Sequence, residues 1–119
     1  HKYFTKTKQH YQIKDSIKSH ISFAYHDIVL NNKKYPSDSI YGNFDFIFLC
    51  NVAIYYNQDV QKDIINRLYQ SVSSVGYIIT SPAEGILLNN FTNIEEITQS
   101  TSIFRKINKE WYDEKSKGF

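Results

Sequence analysis

The most informative polar residue of the chain is Asn51, because it directly follows an apolar run, Phe44–Cys50. Such a run is typical of a strand in a sheet that is covered on both faces. In open α/β sheets, ligands bind at the carboxyl ends of the strands. An amide at that place can both donate and accept a hydrogen bond, which suits it to contact a ligand. A second strand end is predicted at His26–Ile28, after the alternating stretch Ile21–His26.

Several other kinds of site find no support in the sequence. The four histidines have no ligand-like spacing with Asp, Glu or Cys, so no metal site is expected. No Ser–His–Asp or Cys–His arrangement is suggested. The net charge of +2 comes with scattered lysines, which gives no case for nucleic-acid binding. No apolar run approaches the ~18 residues that cross a bilayer, so membrane insertion is not expected. The single cysteine, Cys50, excludes an intrachain disulfide and favours a reducing, cytoplasmic setting.

The apolar patterns predict an α/β fold in a single domain, residues 1–119. Alternation of period two favours a strand over Ile21–His26, and a polar loop is expected over Asn31–Asn43. Asn57 is a good N-cap, and one apolar helical face follows it. That face comprises Val60, Ile64, Ile65, Leu68 and Val72.

The second half of the chain predicts the rest of the sheet. Ser73–Ser74, with Gly76 at the C′ position, is expected to end the helix. Ser81–Gly85 is expected to be a turn. The other predicted elements are a helical turn near Asp15–Ser19, a strand over Tyr77–Thr80, and an antiparallel hairpin of Phe91–Thr98 with Ser102–Ile107.

The stretch Phe44–Tyr56, FDFIFLCNVAIYY, resembles the FD-x-I-F-C-R-N-V-x-I-Y-F signature of the CheR-type chemotaxis methyltransferases. The similarity continues without a gap into the following helix and strand, and it extends over nearly the whole chain. The further residues that fit the family pattern are Gln61, Ile64, Arg67, Leu68 and Gly76–Tyr77, with Tyr3–Phe4, Ile21–Phe23 and His26–Val29 upstream and Ser81–Glu84 and Thr101–Phe104 downstream.

This resemblance implies an enzyme, an S-adenosylmethionine-dependent protein-glutamate O-methyltransferase. Its cofactor would be S-adenosylmethionine, its product S-adenosylhomocysteine, and its partners methyl-accepting chemotaxis receptors. The implied fold is a partial Rossmann-like class I methyltransferase sheet, with the later strands and the C-terminal antiparallel hairpin present and the first two strands absent. The chain has no Met and starts at His1, so it is expected to be a fragment. By the resemblance, the family's glycine-containing first loop and the acidic residue after its second strand would lie before His1, so this C-terminal piece is expected to be inactive alone.

The resemblance also implies the site residues. Asn51 is expected to contact the cofactor, and Cys50 to line the same place through its backbone. Asp27 and Ile28 match the family's Asn-Leu pair near the adenine. Tyr55 is expected to be catalytic, beside the transferred methyl group, where its phenol can position the acceptor carboxylate and its ring can face the sulfonium. The structural alternatives are a strand-end cap for Asn51, a small buried apolar residue for Cys50 and a core aromatic for Tyr55.

Three departures from the family pattern favour an alternative function. Cys50 replaces the usual Arg, the G-H-S-E turn keeps only Glu84, and Ser73–Gly76 replaces K-P-G-G. Glu84 itself could bond the turn, face the acceptor, or be an ordinary solvated side chain. The alternative is a degenerate methyltransferase-like module that acts in protein interaction without catalysis. A methyltransferase of the same fold with another acceptor is a third hypothesis.

The edge of the expected sheet suggests an oligomer. In the family's strand order, Ile21–His26 would have no neighbour here, and Phe44–Cys50 would present an open edge. Open edges recruit partners. We therefore expect either a rearranged sheet or a pairing between copies of the chain, of which strand exchange is one form.

Overall fold

The computed structural model describes residues 2–29 and 43–107. Most of the predicted loop that ends at Asn43 lies outside these residues. In chain order the elements are β1 (Phe4–Lys6), β2 (Tyr11–Ile13), α1 (Asp15–Lys18), β3 (Phe44–Leu49), a 3₁₀ turn (Ala53–Tyr55), α2 (Gln58–Ser71), β4 (Val72–Thr80), α3 (Pro82–Leu88), β5 (Ile94–Glu96) and β6 (Ile103–Lys106).

The main sheet has four strands in the order β3–β4–β6–β5. Strands β3 and β4 are parallel and are connected through α2, whereas β6 runs antiparallel to both β4 and β5. The predicted α/β class and the predicted C-terminal hairpin are thus confirmed. This mixed sheet corresponds to part of a Rossmann-like methyltransferase fold. Strands β1 and β2 form a separate small hairpin that the sequence patterns did not predict.

Helix α2 begins where the sequence predicts it. Asn57 is its N-cap, and the side-chain Oδ1 accepts a hydrogen bond from the backbone N–H of Val60 at 3.0 Å. Ile64, Ile65 and Leu68 from the predicted apolar face are buried and form the core together with Leu49, Val72, Ile78, Leu88, Ile94 and Phe104. Among the described residues, no helix has the length and apolar character needed to cross a membrane.

Ile21–His26 is not a strand, so this prediction is wrong. Residues 21–25 are exposed, with Phe23 at 94% and Tyr25 at 89% of full exposure. A strand needs a neighbour to satisfy its backbone hydrogen bonds. In the described part of the chain, β3 pairs with β4 alone, so its other edge is open and the alternating stretch has not joined it.

Strand β3 confirms the prediction for Phe44–Cys50 in position but not in burial. Leu49 is buried, whereas Phe46 and Phe48 are 60% and 69% exposed. The two exposed rings alternate with Ile47 and Leu49, so they lie on the opposite face of the sheet. Within residues 2–29 and 43–107, therefore, the helices cover one face of β3 and not both.

Two boundaries differ from prediction. Helix α2 ends at Ser71, and β4 starts at Val72, so Gly76 lies inside a strand and is not a helix C′ residue. A Cβ at Gly76 would lie 2.7 Å from the backbone oxygen of Asp45, so the close approach of β3 and β4 explains this glycine. The predicted turn at Ser81–Gly85 is instead the start of α3.

Candidate functional site

The chain turns sharply where β3 ends. Asn51 has a φ of 60°, in the left-handed region that Asn enters more readily than most residues. Val52 returns to the right-handed region, and the 3₁₀ turn Ala53–Tyr55 leads on towards α2. The backbone N–H groups of Asn51, Val52 and Ala53 therefore converge on one point. We call this stretch, Asn51–Ala53, the β3 turn.

The group at that point is the carboxylate of Glu84, from the first turn of α3. Its Oε1 accepts from the N–H of Asn51 at 2.5 Å. Its Oε2 accepts from the N–H of Val52 at 3.0 Å and from that of Ala53 at 2.7 Å. The hydroxyl of Ser81 donates a fourth hydrogen bond to Oε1 at 2.8 Å. Glu84 is fully buried, so every bond to its charge comes from protein.

These bonds keep Glu84 ionised. Burial by itself would raise the pKa of the Glu84 carboxyl, but the hydrogen bonds from Ser81 and from the three backbone N–H groups outweigh it and lower that pKa below its usual value. A buried carboxylate is tolerated only when its lone pairs are satisfied, and this one has four donors. The charge of Glu84 is therefore committed to the β3 turn and is not available as an acid or base.

The helices on both sides fix the same turn. The Nε2 of Gln61, in α2, donates to the backbone oxygen of Ala53 at 3.0 Å. The backbone N–H of Ser81 donates to the oxygen of Leu49 at 3.3 Å. Ser81 is also the N-cap of α3, and its hydroxyl accepts from the N–H of Glu84. The β3 turn is thus held from α2 and from α3.

The outward side of this region carries the predicted site residues. Asn51 and Cys50 are exposed, and Tyr55 is 78% exposed. The alternatives that placed Cys50 and Tyr55 in the core are therefore wrong. The other alternative that fails is a solvated Glu84. The first option, a bond to the turn that follows β4, holds only for the hydroxyl of Ser81, and the other three donors to Glu84 belong to the turn after β3.

The second predicted group, Asp27 and Ile28, lies elsewhere. Both residues are half-buried, and Oδ1 of Asp27 accepts from the N–H of Val29 at 3.0 Å. Ile28 lines an open groove of about 330 Å³ between β3 and α2. Cys50, Asn51 and Tyr55 do not line that groove. Cys50, Asn51 and Tyr55 therefore lie near one another at the end of β3, outside the groove that Ile28 lines.

The residues at the β3 turn fit one wall of a site for S-adenosylmethionine. The β3 turn offers an outward amide from Asn51, and the 3₁₀ turn that follows it offers an exposed phenol from Tyr55. Its three N–H groups are occupied by Glu84, so they cannot bind the carboxylate of a ligand. Across the described ranges, no three His, Cys, Asp or Glu side chains come together as a metal site would require.

Sequence reasoning did not include Glu84 and Gln61 among the site residues. One local signal was available, since Ser81-Pro82-Ala83-Glu84 has the S-x-x-E spacing of a capping box and so predicts a helix start at Ser81. The contact between Glu84 and the β3 turn spans more than thirty residues of sequence. It depends on how the sheet assembles, and no local pattern encodes it.

Comparison with known proteins agrees with this geometry. Residues 1–104 match the family model described as the CheR methyltransferase, SAM binding domain. The chain is 28% identical over 75 residues to chemotaxis protein methyltransferase 1 of Vibrio cholerae serotype O1, an alignment that covers 63% of this chain and 25% of that protein. It is 28% identical over 87 residues to chemotaxis protein methyltransferase 1 of Pseudomonas aeruginosa, covering 73% of this chain and 29% of that protein.

The aligned part is therefore about a quarter of the length of the relatives that the chain matches. The family match, in contrast, takes in most of the 119 residues. It includes β3, the β3 turn, α2, β4 and α3, which are the elements that build the site. The chain belongs to the CheR methyltransferase family, in its S-adenosylmethionine-binding domain.

Proposed function

We propose that this chain is part of the catalytic domain of a cytoplasmic S-adenosylmethionine-dependent methyltransferase that methylates glutamate side chains of chemotaxis receptors. The observation that supports it most is the carboxyl end of the parallel strand β3, where the β3 turn exposes Asn51 and the following 3₁₀ turn exposes Tyr55. Ligands of open α/β sheets bind at that edge. The names of the matched relatives, chemotaxis protein methyltransferases, agree with the reaction.

Each site residue has a role in this proposal. The Asn51 amide and the backbone of Cys50 would hold the cofactor at the end of β3, and Asp27 and Ile28 would lie on the adenine side. When bound, S-adenosylmethionine supplies a methyl group that is activated by its sulfonium. Tyr55 would position the glutamate carboxylate of the receptor beside that group. This carboxylate is ionised at neutral pH, so the chain needs to supply alignment and exclusion of water but no general base.

The role of Asn51 is tested by Asn51→Gly in the full product of the gene. Glycine adopts a φ of 60° without strain, so the variant keeps the β3 turn and removes the amide alone. We expect the affinity for S-adenosylhomocysteine, measured by calorimetry, to fall about tenfold, the equivalent of one good hydrogen bond. The control is Asn66→Gly on the exposed side of α2, with binding measured where both variants are folded. Equal affinity in the two variants would contradict the assignment.

The same calorimetric titration is also made on the 119-residue chain alone. We expect it to bind S-adenosylhomocysteine weakly or not at all, because neither Asn51 nor Tyr55 lines the groove that Ile28 lines. Micromolar affinity of this chain would refute that expectation. If the full gene product binds no S-adenosylhomocysteine either, the alternative of a degenerate interaction module, which the exchange of Arg for Cys50 favours, replaces the enzyme. Binding without receptor methylation would instead favour another acceptor.

We also infer that the open edge of β3 pairs with the same edge of a second copy. In residues 2–29 and 43–107 no strand pairs with that edge, and Phe46 and Phe48 of β3 are largely exposed. An unpaired edge with apolar side chains invites pairing. Light scattering of the chain should show a dimer whose fraction rises with concentration. Phe48→Lys should shift it to monomer, whereas Ile86→Lys on α3, a residue with the same 69% exposure, should not. A monomer at every concentration would exclude this pairing.

A further inference from the structure

The backbone of the β3 turn has the geometry of an anion-binding nest. A left-handed residue followed by a right-handed one, here Asn51 and Val52, turns successive N–H groups towards one point. Such concavities commonly bind phosphate or carboxylate groups of ligands. In this chain the nest is filled from inside by Glu84, whose carboxylate takes all three N–H groups and is closed off from solvent.

This internal anion occupies the three N–H donors and leaves the turn with a single polar side chain for an outside ligand. Val52 and Ala53 have apolar side chains, so the Asn51 amide is the one polar side chain of the β3 turn. Its direction depends on the left-handed backbone of the same residue. That backbone conformation is held by the bond between the N–H of Asn51 and Oε1 of Glu84. Glu84 thus fixes the direction of the Asn51 amide on the outer surface, although Glu84 itself is buried.

We propose that Glu84 is a positioning residue, an internal anion that sets the backbone of Asn51 so that its amide meets the methyl donor. This inference rests on the proposed function, because it requires that the outer side of the β3 turn binds the cofactor. Glu84 does not touch that ligand. Its role differs from ordinary core packing because it depends on an anion at the centre of the nest, and that anion need not be attached to the chain.

The test replaces the side chain and supplies the anion separately. Glu84→Ala opens a space beside the three N–H groups that formate, a one-carbon carboxylate, can enter. In the full gene product we expect Glu84→Ala to bind S-adenosylhomocysteine at least about tenfold more weakly than the parent, as calorimetry measures it where circular dichroism shows a folded protein. Added formate should recover most of that affinity, and sodium chloride of equal ionic strength should not.

A matched control exists at the β5–β6 turn. The carboxylate of Glu96 accepts from the backbone N–H of Thr101 at 2.8 Å and from that of Ser102 at 3.3 Å. Glu96→Ala therefore removes the same kind of carboxylate from backbone N–H groups away from the β3 turn. We expect it to leave the affinity for S-adenosylhomocysteine within about twofold of the parent and to show no response to formate.

Each outcome decides between positioning and a merely structural role. The inference is overturned if Glu84→Ala is folded and binds as well as Glu96→Ala, or if formate raises its melting temperature but not its affinity. Glu84→Gln is the second variant, because it keeps the shape of the side chain and loses one acceptor oxygen. If both variants fail to fold even with formate, Glu84 is needed for folding itself and the inference falls. If the parent itself binds no S-adenosylhomocysteine, the result contradicts the proposed function, and with it the inference that rests on that function.

Discussion

Phe104→Ala should lower the free energy of unfolding by about 3–5 kcal/mol. Phe104 is fully buried, pairs across β4 and β6 with Ile78, and is the largest of the fully buried side chains. Truncation removes the transfer free energy of the ring and leaves a cavity that the neighbouring helix and strands cannot fill completely. Urea unfolding followed by circular dichroism measures this loss directly.

The matched control for this variant is Phe23→Ala. Phe23 is 94% exposed, so the same truncation should change the free energy of unfolding by no more than about 0.5 kcal/mol. The difference between the two variants isolates burial from residue type. Equal losses in the free energy of unfolding would contradict the burial of Phe104 between the sheet and α3.

Gly76→Ala should lower the free energy of unfolding by about 2–3 kcal/mol. A Cβ at this position would lie 2.7 Å from the backbone oxygen of Asp45 and 2.9 Å from that of Phe44, closer than Cβ contacts in real proteins. Backbone atoms cannot rotate away, so β3 and β4 would have to separate where their register already shifts, between Phe44 and Phe46. The same urea titration measures the effect.

Gly85→Ala is the control for the glycine variant. The added Cβ would come within 3.2 Å of the Oγ of Ser102 and 3.3 Å of the Oγ1 of Thr80, which are side-chain atoms that can shift slightly. Gly85 also lies within α3, where Ala is favoured over Gly by about 0.5–1 kcal/mol. We expect the steric cost and the gain in helix propensity to offset one another, so that Gly85→Ala changes the free energy of unfolding little. A loss for Gly85→Ala as large as that for Gly76→Ala would mean that strand approach is not the cause.

The elements that local patterns determine were predicted well. The N-cap at Asn57, the apolar face of α2, the position of β3 and the β5–β6 hairpin all follow from spacing within one segment. These features depend on the chain's own periodicity, so tertiary context does not change them. The same holds for the position of Asn51 directly after the strand.

The features that tertiary contacts determine were predicted wrongly or not at all. Gly76 satisfies the local rule for ending a helix, but the approach of β3 decides its place. Ile21–His26 has the alternation of a strand, but alternation forms a strand only beside a partner. Glu84 looked equally suited to solvent, and only the assembled sheet brings it to the β3 turn.

The hydrogen bonds of Glu84 also couple the stability of the β3 turn to that of the core. The β3 turn resists opening on its own, because opening it would remove three of the four donors from the buried carboxylate of Glu84. This wall of the site is therefore coupled to the packing of α3 against the sheet. Residues 21–25 are exposed and take no part in the sheet, so they can rearrange at little cost. A ligand that bridges the two would meet one preorganised wall and one adjustable wall.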